Sequence, residues 1–85
     1  MAYTIQFKPA ALRQLHRIPR SIQNRILARI EMLARDPFPP GCRKLAGLRE
    51  AWRIRISDYR VIYQVHHGML LVLVLTIGHR RDVYR

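Results

Sequence analysis

The chain has 85 residues, enough for one domain with a single sheet packed against a few helices. Sixteen Lys and Arg face five Asp and Glu, giving a formal charge of +11, and all the basic residues except Lys8 and Lys44 are arginine. That balance argues against a small enzyme for neutral metabolites and for a polyanionic partner, since the guanidinium fork matches phosphate and stacks on bases.

Apolar residues make up 49% of the chain, which excludes a disordered basic tail. A solvated basic surface or a ribosomal-type structural protein is the plainer alternative to a nucleic-acid interface. Cys42 is the only cysteine, so the chain cannot form an internal disulfide, and a reducing, cytoplasmic setting is expected. The N-terminal residues lack the pattern of a signal peptide. The longest apolar run, Met69 to Leu75, is too short to span a bilayer, so no membrane association is expected.

In chain order, Tyr3 to Phe7 alternates as a short strand. Pro9 suits the first turn of a helix whose apolar positions are Ala11, Leu12, Leu15 and Ile18. Pro19 ends that helix and opens the next, with Ser21 as another cap. Ile22, Ile26, Leu27, Ile30, Leu33 and Ala34 form the stripe of this second helix, and the short link implies an antiparallel helical hairpin. Asp36-Pro-Phe-Pro-Pro-Gly41 is a firm break, and the basic segment Cys42 to Glu50 reads as a surface loop with room for a helical turn. Three strands follow, turning at Ser57-Asp58 and at His67-Gly68.

The expected fold is α+β, in the order β-α-α-β-β-β. An antiparallel sheet carries the N-terminal helical hairpin on one face, and residues 1–85 form a single domain. With Ser57-Asp58 as a two-residue hairpin loop, Arg55 stands opposite Arg60 and Arg53 shares their face. Trp52, Ile54, Ile56, Tyr59, Val61 and Tyr63 then fall on the other face, which makes Trp52 and Tyr63 core residues rather than base-stacking platforms. Opposed like charges destabilise a sheet, so the cluster points to a bound anion.

The spacings support little other chemistry. His16, His66, His67 and His79 do not form a zinc pattern, and no metal or cofactor is expected. Ser21, Ser57 and Cys42 lack an evident base, and Gly41, Gly47, Gly68 and Gly78 are scattered turn residues rather than a phosphate loop. Metal-free cleavage of RNA remains. Its own 2′-hydroxyl is the nucleophile, so the protein need only align the strand, neutralise developing charge and move a proton. Arg53, Arg55, Arg60 and Arg80 can supply charge, Tyr84 can stack on a base or bond the phosphate, and His79 is the nearby side-chain type that titrates near neutrality.

The segments Lys44-Leu-Ala-Gly-Leu-Arg-Glu-Ala-Trp-Arg-Ile-Arg-Ile, Asp58-Tyr-Arg-Val-Ile-Tyr and Gly78-His-Arg-Arg-Asp-Val-Tyr84 resemble the RelE/ParE toxin superfamily, most closely its RelE-type mRNA interferases. The helical hairpin is similar too, so the resemblance covers nearly the whole chain. It implies a type II toxin with a cognate, acidic, RelB-like antitoxin, which enters the ribosomal A site and cleaves mRNA there by 2′-hydroxyl attack. It also implies that Arg60 stabilises the scissile phosphate, that Arg80 acts near the leaving group, and that Tyr84 orients the RNA.

Arg53 and Arg55 fall where several RelE proteins carry lysines. Arginine does not give up its proton, so these two can bind phosphate but cannot act as the base. His79 is the first candidate for that role and Tyr84 the second, with ribosomal RNA groups left open. Arg43, Lys44, Arg49 and Arg81 are expected to contact RNA backbone without reading sequence. Met69 to Ile77 is apolar on both alternations, which leaves an apolar strip beside the arginines for an antitoxin to cover. The competing readings are a ParE-like toxin that inhibits DNA gyrase and a basic RNA-binding module without activity.

Overall fold

The computed structural model describes residues 2–79 of the protein. Strand β1 (Thr4–Phe7) leads into helix α1 (Pro9–His16) and helix α2 (Arg20–Met32). Strands β2 (Arg43–Lys44), β3 (Ala51–Ile56), β4 (Tyr59–His66) and β5 (Leu71–His79) follow. The five strands form one sheet in the order β1-β5-β4-β3-β2.

The α+β fold and its helical hairpin are as expected. The sheet is antiparallel from β2 to β5, but β1 runs parallel to β5, with Thr4 beside Leu71 and Phe7 beside Val74. The helical hairpin itself explains this: it carries the chain across the sheet, so β1 joins the last strand rather than its sequence neighbour. The segment expected to be a loop also contributes β2, a two-residue edge strand.

Proline chemistry sets the helix boundaries. Pro9 opens α1, where its missing N–H costs nothing, and Pro19 occupies the N-cap of α2. Ser21 lies inside α2 and makes no cap. Ala11, Leu15 and Ile18 from the first helical segment join Ile26, Ile30 and Leu33 from the second over one face of the sheet. There they meet Ile54, Ile56, Val61, Tyr63, Val65, Val72, Val74 and Ile77.

A bulge in β5 fills this core. Ile62 stands opposite Thr76 but Tyr63 opposite Val74, so Leu75 is the extra residue. The shift lets Val72, Val74 and Ile77 all face the helices, which simple alternation forbids. Leu71 and Leu73 stay half-buried on the face without helices, as the apolar strip expected there. At the second turn a 3-10 segment, His67–Met69, is followed by Leu70 in the left-handed region at φ 49, so Leu70 rather than Gly68 makes the reversal.

The proline-rich break is tied to the core by Tyr63, whose hydroxyl donates to the carbonyl of Pro37 at 2.6 Å. The residue is 0% exposed. Burial first, then Cys42 and Asp36 beside it, holds the phenol well above the ordinary tyrosine range. With the folded-state value raised, the contribution is complete below the unfolded value of about 10 and is lost as pH rises above it, because only the unfolded chain then releases the proton. Tyr63→Phe is therefore expected to cost about 1 kcal/mol at neutral pH by removing the hydrogen bond. It should also flatten the fall in stability above a pH of about 10. Urea midpoints of both proteins at neutral and alkaline pH test this; an equal alkaline loss in the variant would assign that loss to other groups.

Candidate nucleic-acid interface

The β3–β4 hairpin positions the basic face. Ile56 pairs with Tyr59, leaving Ser57 and Asp58 as a two-residue loop in which Ser57 adopts φ 56. The right-handed twist of the strands favours this left-handed turn geometry. Arg55 is thereby placed across from Arg60, and Arg53 across from Ile62 on one side and Arg43 on the other. Arg60 in turn pairs with Gly78 of β5. Directly paired residues share a face, so Arg43, Arg53, Arg55 and Arg60 form one patch on the side away from the helices. Along β3 the two arginines are separated by about 6.8 Å of strand rise.

Burial grades the patch. Arg55 is exposed and Arg60 half-buried, whereas Arg53 is only 5% exposed and its Nε has no hydrogen-bond partner among the described residues. A buried guanidinium N–H without an acceptor is costly, and an anion beside it removes that cost. Arg55, Ser57, Asp58, Tyr59 and Arg60 enclose a concavity of about 60 Å³ at the hairpin end, with Asp58 as its one acidic wall residue. The space suits a phosphate-sized group.

His79 lies elsewhere. It pairs with Tyr59, and their rings meet edge to face with centroids 5.6 Å apart. Tyr59 belongs to the helix side, so His79, paired with it at the end of the sheet, lies on that side too and not on the face of Arg60. Both rings line a cleft of about 330 Å³ with Gln14, Arg17, Ile18, Ile77 and Gly78. Gln14 accepts the Ile77 N–H through Oε1 at 2.8 Å, joining α1 to β5.

The other expected site residues divide. Arg43 joins the patch through β2. Lys44 pairs with Trp52 and so falls on the opposite face. Arg49 is exposed at the far end of β3, where its carbonyl accepts from Gln64 Nε2 at 3.3 Å. Arg80, Arg81 and Tyr84 lie outside the described residues. Trp52 packs edge to face on Phe38 at 4.6 Å and Tyr63 is buried, so both belong to the core, as alternation requires. Gln14 and Arg17 carry no sequence signal of a site. Their three-residue spacing reads as the wet side of α1 until β5 is known to end beside it.

Comparison with known proteins places the chain in a family. The family described as "ParE toxin of type II toxin-antitoxin system, parDE" matches residues 5–84. Toxin RelG of Mycobacterium tuberculosis is 35% identical over 92 residues, covering 100% of this chain and 99% of the relative. The mRNA interferase toxin RelE of Escherichia coli K12 is 26% identical, covering 99% and 92%. Among solved structures, the RelE–RelB complex of Pyrococcus horikoshii superposes with a TM-score of 0.84 at 26% identity, covering 98% of this chain and 100% of that one. The RelBE2 toxin–antitoxin complex of M. tuberculosis gives 0.83 at 27%, covering 94% and 100%. The chain belongs to the ParE toxin family of type II toxin–antitoxin systems, within the RelE/ParE superfamily and close to its RelE-type members. No helix among the described residues is long and apolar enough to cross a membrane.

An anion that binds the arginine patch should stabilise the fold. At a phosphate concentration about ten times its dissociation constant the gain is about 1.4 kcal/mol. Thermal unfolding in phosphate and in chloride at matched ionic strength measures it, and the double variant Arg55→Gln, Arg60→Gln should erase the difference between the salts. Equal midpoints for the unaltered protein in both salts would argue against an anion site.

Proposed function

We propose that this toxin is an endoribonuclease that cleaves mRNA in the ribosomal A site, without metal or cofactor. The carrying observation is the Arg55–Arg60 pair across the β3–β4 hairpin, with the buried Arg53 behind it. Such a face holds a phosphodiester and stabilises the charge that grows on it. The names of the relatives support the reading, since RelE proteins of E. coli and Shigella flexneri are described as mRNA interferases.

In this mechanism the 2′-oxygen attacks the adjacent phosphorus and the bond to the 5′-oxygen breaks. The products are a 2′,3′-cyclic phosphate and a free 5′-hydroxyl. The 2′-hydroxyl proton leaves to a base, and a proton reaches the departing 5′-oxygen. Arg60 and Arg55 bear the phosphorane charge, and Arg53 holds the strand in register beneath them. Arg80 acts at the leaving group and Tyr84 orients the RNA. His79, which lines the cleft beside Tyr59, is assigned the proton transfer, with Tyr84 the second candidate. Arg43, Arg49 and Arg81 hold RNA backbone, whereas Lys44, on the opposite face, takes no part.

The solved relatives described as RelB–RelE complexes support a cognate antitoxin partner. An acidic segment that covers Leu71 and Leu73 together with the arginines beside them would bury the apolar strip and neutralise the patch in one step. The ParE description of the matching family favours one second reading, inhibition of DNA gyrase, which needs no RNA chemistry.

Primer extension on a reporter mRNA in a bacterial translation extract separates these readings. Cuts confined to translated message, within A-site codons, are expected. Intact message together with accumulated gyrase–DNA cleavage complexes would replace the nuclease with the gyrase reading. Arg60→Ala should lower the single-turnover rate by about a hundredfold or more while the protein stays folded. His79→Ala should slow cleavage comparably, and an unchanged rate would remove the proton-transfer role from that residue.

A further inference from the structure

We infer that the cleft between the end of α1 and the end of β5 is a nucleobase pocket, built for a base that offers carbonyl acceptors. The inference deepens the RNA-acting reading and rests on it, but the residues that carry it lie outside the arginine patch.

The pocket arises from where β1 stops. Strand β1 covers the outer edge of β5 only as far as Val74, where the Lys8 N–H donates to the Val74 carbonyl at 2.9 Å. The Ile77 N–H, further along that edge, is met by the side chain of Gln14. A backbone N–H can only donate, so the Gln14 oxygen must accept, and this fixes which way the amide is turned. The amide NH2 is thereby the end left to bond a ligand. Arg17 lies three residues on, along the same side of the helix, and brings only donors.

The rest of the lining is apolar or aromatic. Ile18 and Ile77 contribute aliphatic surface, and the edge-to-face rings of Tyr59 and His79 form a wall. Flat aromatic surface, aliphatic contact and a rim of donors are what a splayed-out RNA base requires. The volume of about 330 Å³ lies at the small end of the range for ligand sites. Because the rim offers donors, it matches a base edge with paired acceptors, as O6 and N7 of guanine are for arginine. Adenine places an amino donor at the same position and is disfavoured. Tyr59 lines both this cleft and the concavity at Arg55 and Arg60. A base seated in the cleft therefore has its phosphate near the arginine pair.

Titration of the full-length protein with guanosine and adenosine monophosphates, followed by amide NMR shifts, tests the pocket. GMP is expected to shift the amides of Ile77 and Gly78 and to bind about tenfold more tightly than AMP. Arg17→Ala should reduce GMP affinity about tenfold, and Gln14→Glu, which keeps the acceptor for Ile77, should do the same. Inorganic phosphate should shift residues around Arg55 and Arg60 in all the variants and leave Ile77 unmoved. Equal binding of GMP and AMP, a GMP response reproduced by phosphate alone, or full GMP affinity in Arg17→Ala would overturn the assignment. The titration needs neither ribosome nor cleavage. A protein that prefers GMP but leaves mRNA intact rejects the nuclease and keeps the pocket; an active nuclease without that preference rejects the pocket alone.

Discussion

The two-residue loop at Ser57 and Asp58 is the constraint on which the rest of the molecule depends. It fixes the register of β3 against β4, and a register error of one residue would exchange their two faces. In the observed register, Ile54, Ile56, Val61 and Tyr63 meet the helices, and Arg53, Arg55 and Arg60 share the side without them. Core and basic patch are thus two outcomes of one turn. The opposition of Arg55 and Arg60 works against the sheet, by a few tenths of a kcal/mol to about 1 kcal/mol. Burial of the apolar face outweighs it, since each fully buried Val, Ile or Leu contributes about 1.5–3 kcal/mol.

Strand β5 is the second organising element. It lies between a parallel and an antiparallel neighbour and must give the helices an apolar face along most of its length. The bulge at Leu75 achieves this by resetting the alternation between Val74 and Ile77. Beyond Val74 the strand outlasts β1, and helix α1 takes over its outer edge through Gln14. The end of β5 is therefore held by a helix and a strand together, and it delivers Gly78 to Arg60 on one face and His79 to Tyr59 on the other.

These features separate the guanidinium charge from the His79 imidazole. The guanidinium patch and the His79–Tyr59 pair stand on adjoining surfaces that meet at the hairpin end. A substrate that uses both must turn the sheet's corner, as a nucleotide does when its phosphate and its base point different ways. Arg53 adds rigidity to the first surface, because a side chain that is 5% exposed and fixed in a strand has little freedom to follow a mobile ligand.

Much of this was legible in the residues. Pro9 and Pro19 marked the helix starts, Ser57-Asp58 marked the hairpin, and alternation around it placed the arginines and sent Trp52 and Tyr63 to the core. Such signals are local: a proline or a short turn constrains its own few residues wherever it occurs. The parallel seating of β1, the edge strand at Arg43–Lys44, the bulge at Leu75 and the contact of Gln14 with Ile77, 63 residues away, were not legible. Each depends on which segments meet after the helical hairpin has crossed the sheet. The sequence by itself determined the elements, the two faces of β3 and β4 and the basic character of one of them, because these follow from backbone sterics and period-two alternation. Only the tertiary structure decided which strands lie side by side, how deeply Arg53 is buried and that His79 turns away from Arg60, because those outcomes come from packing between residues far apart in the chain.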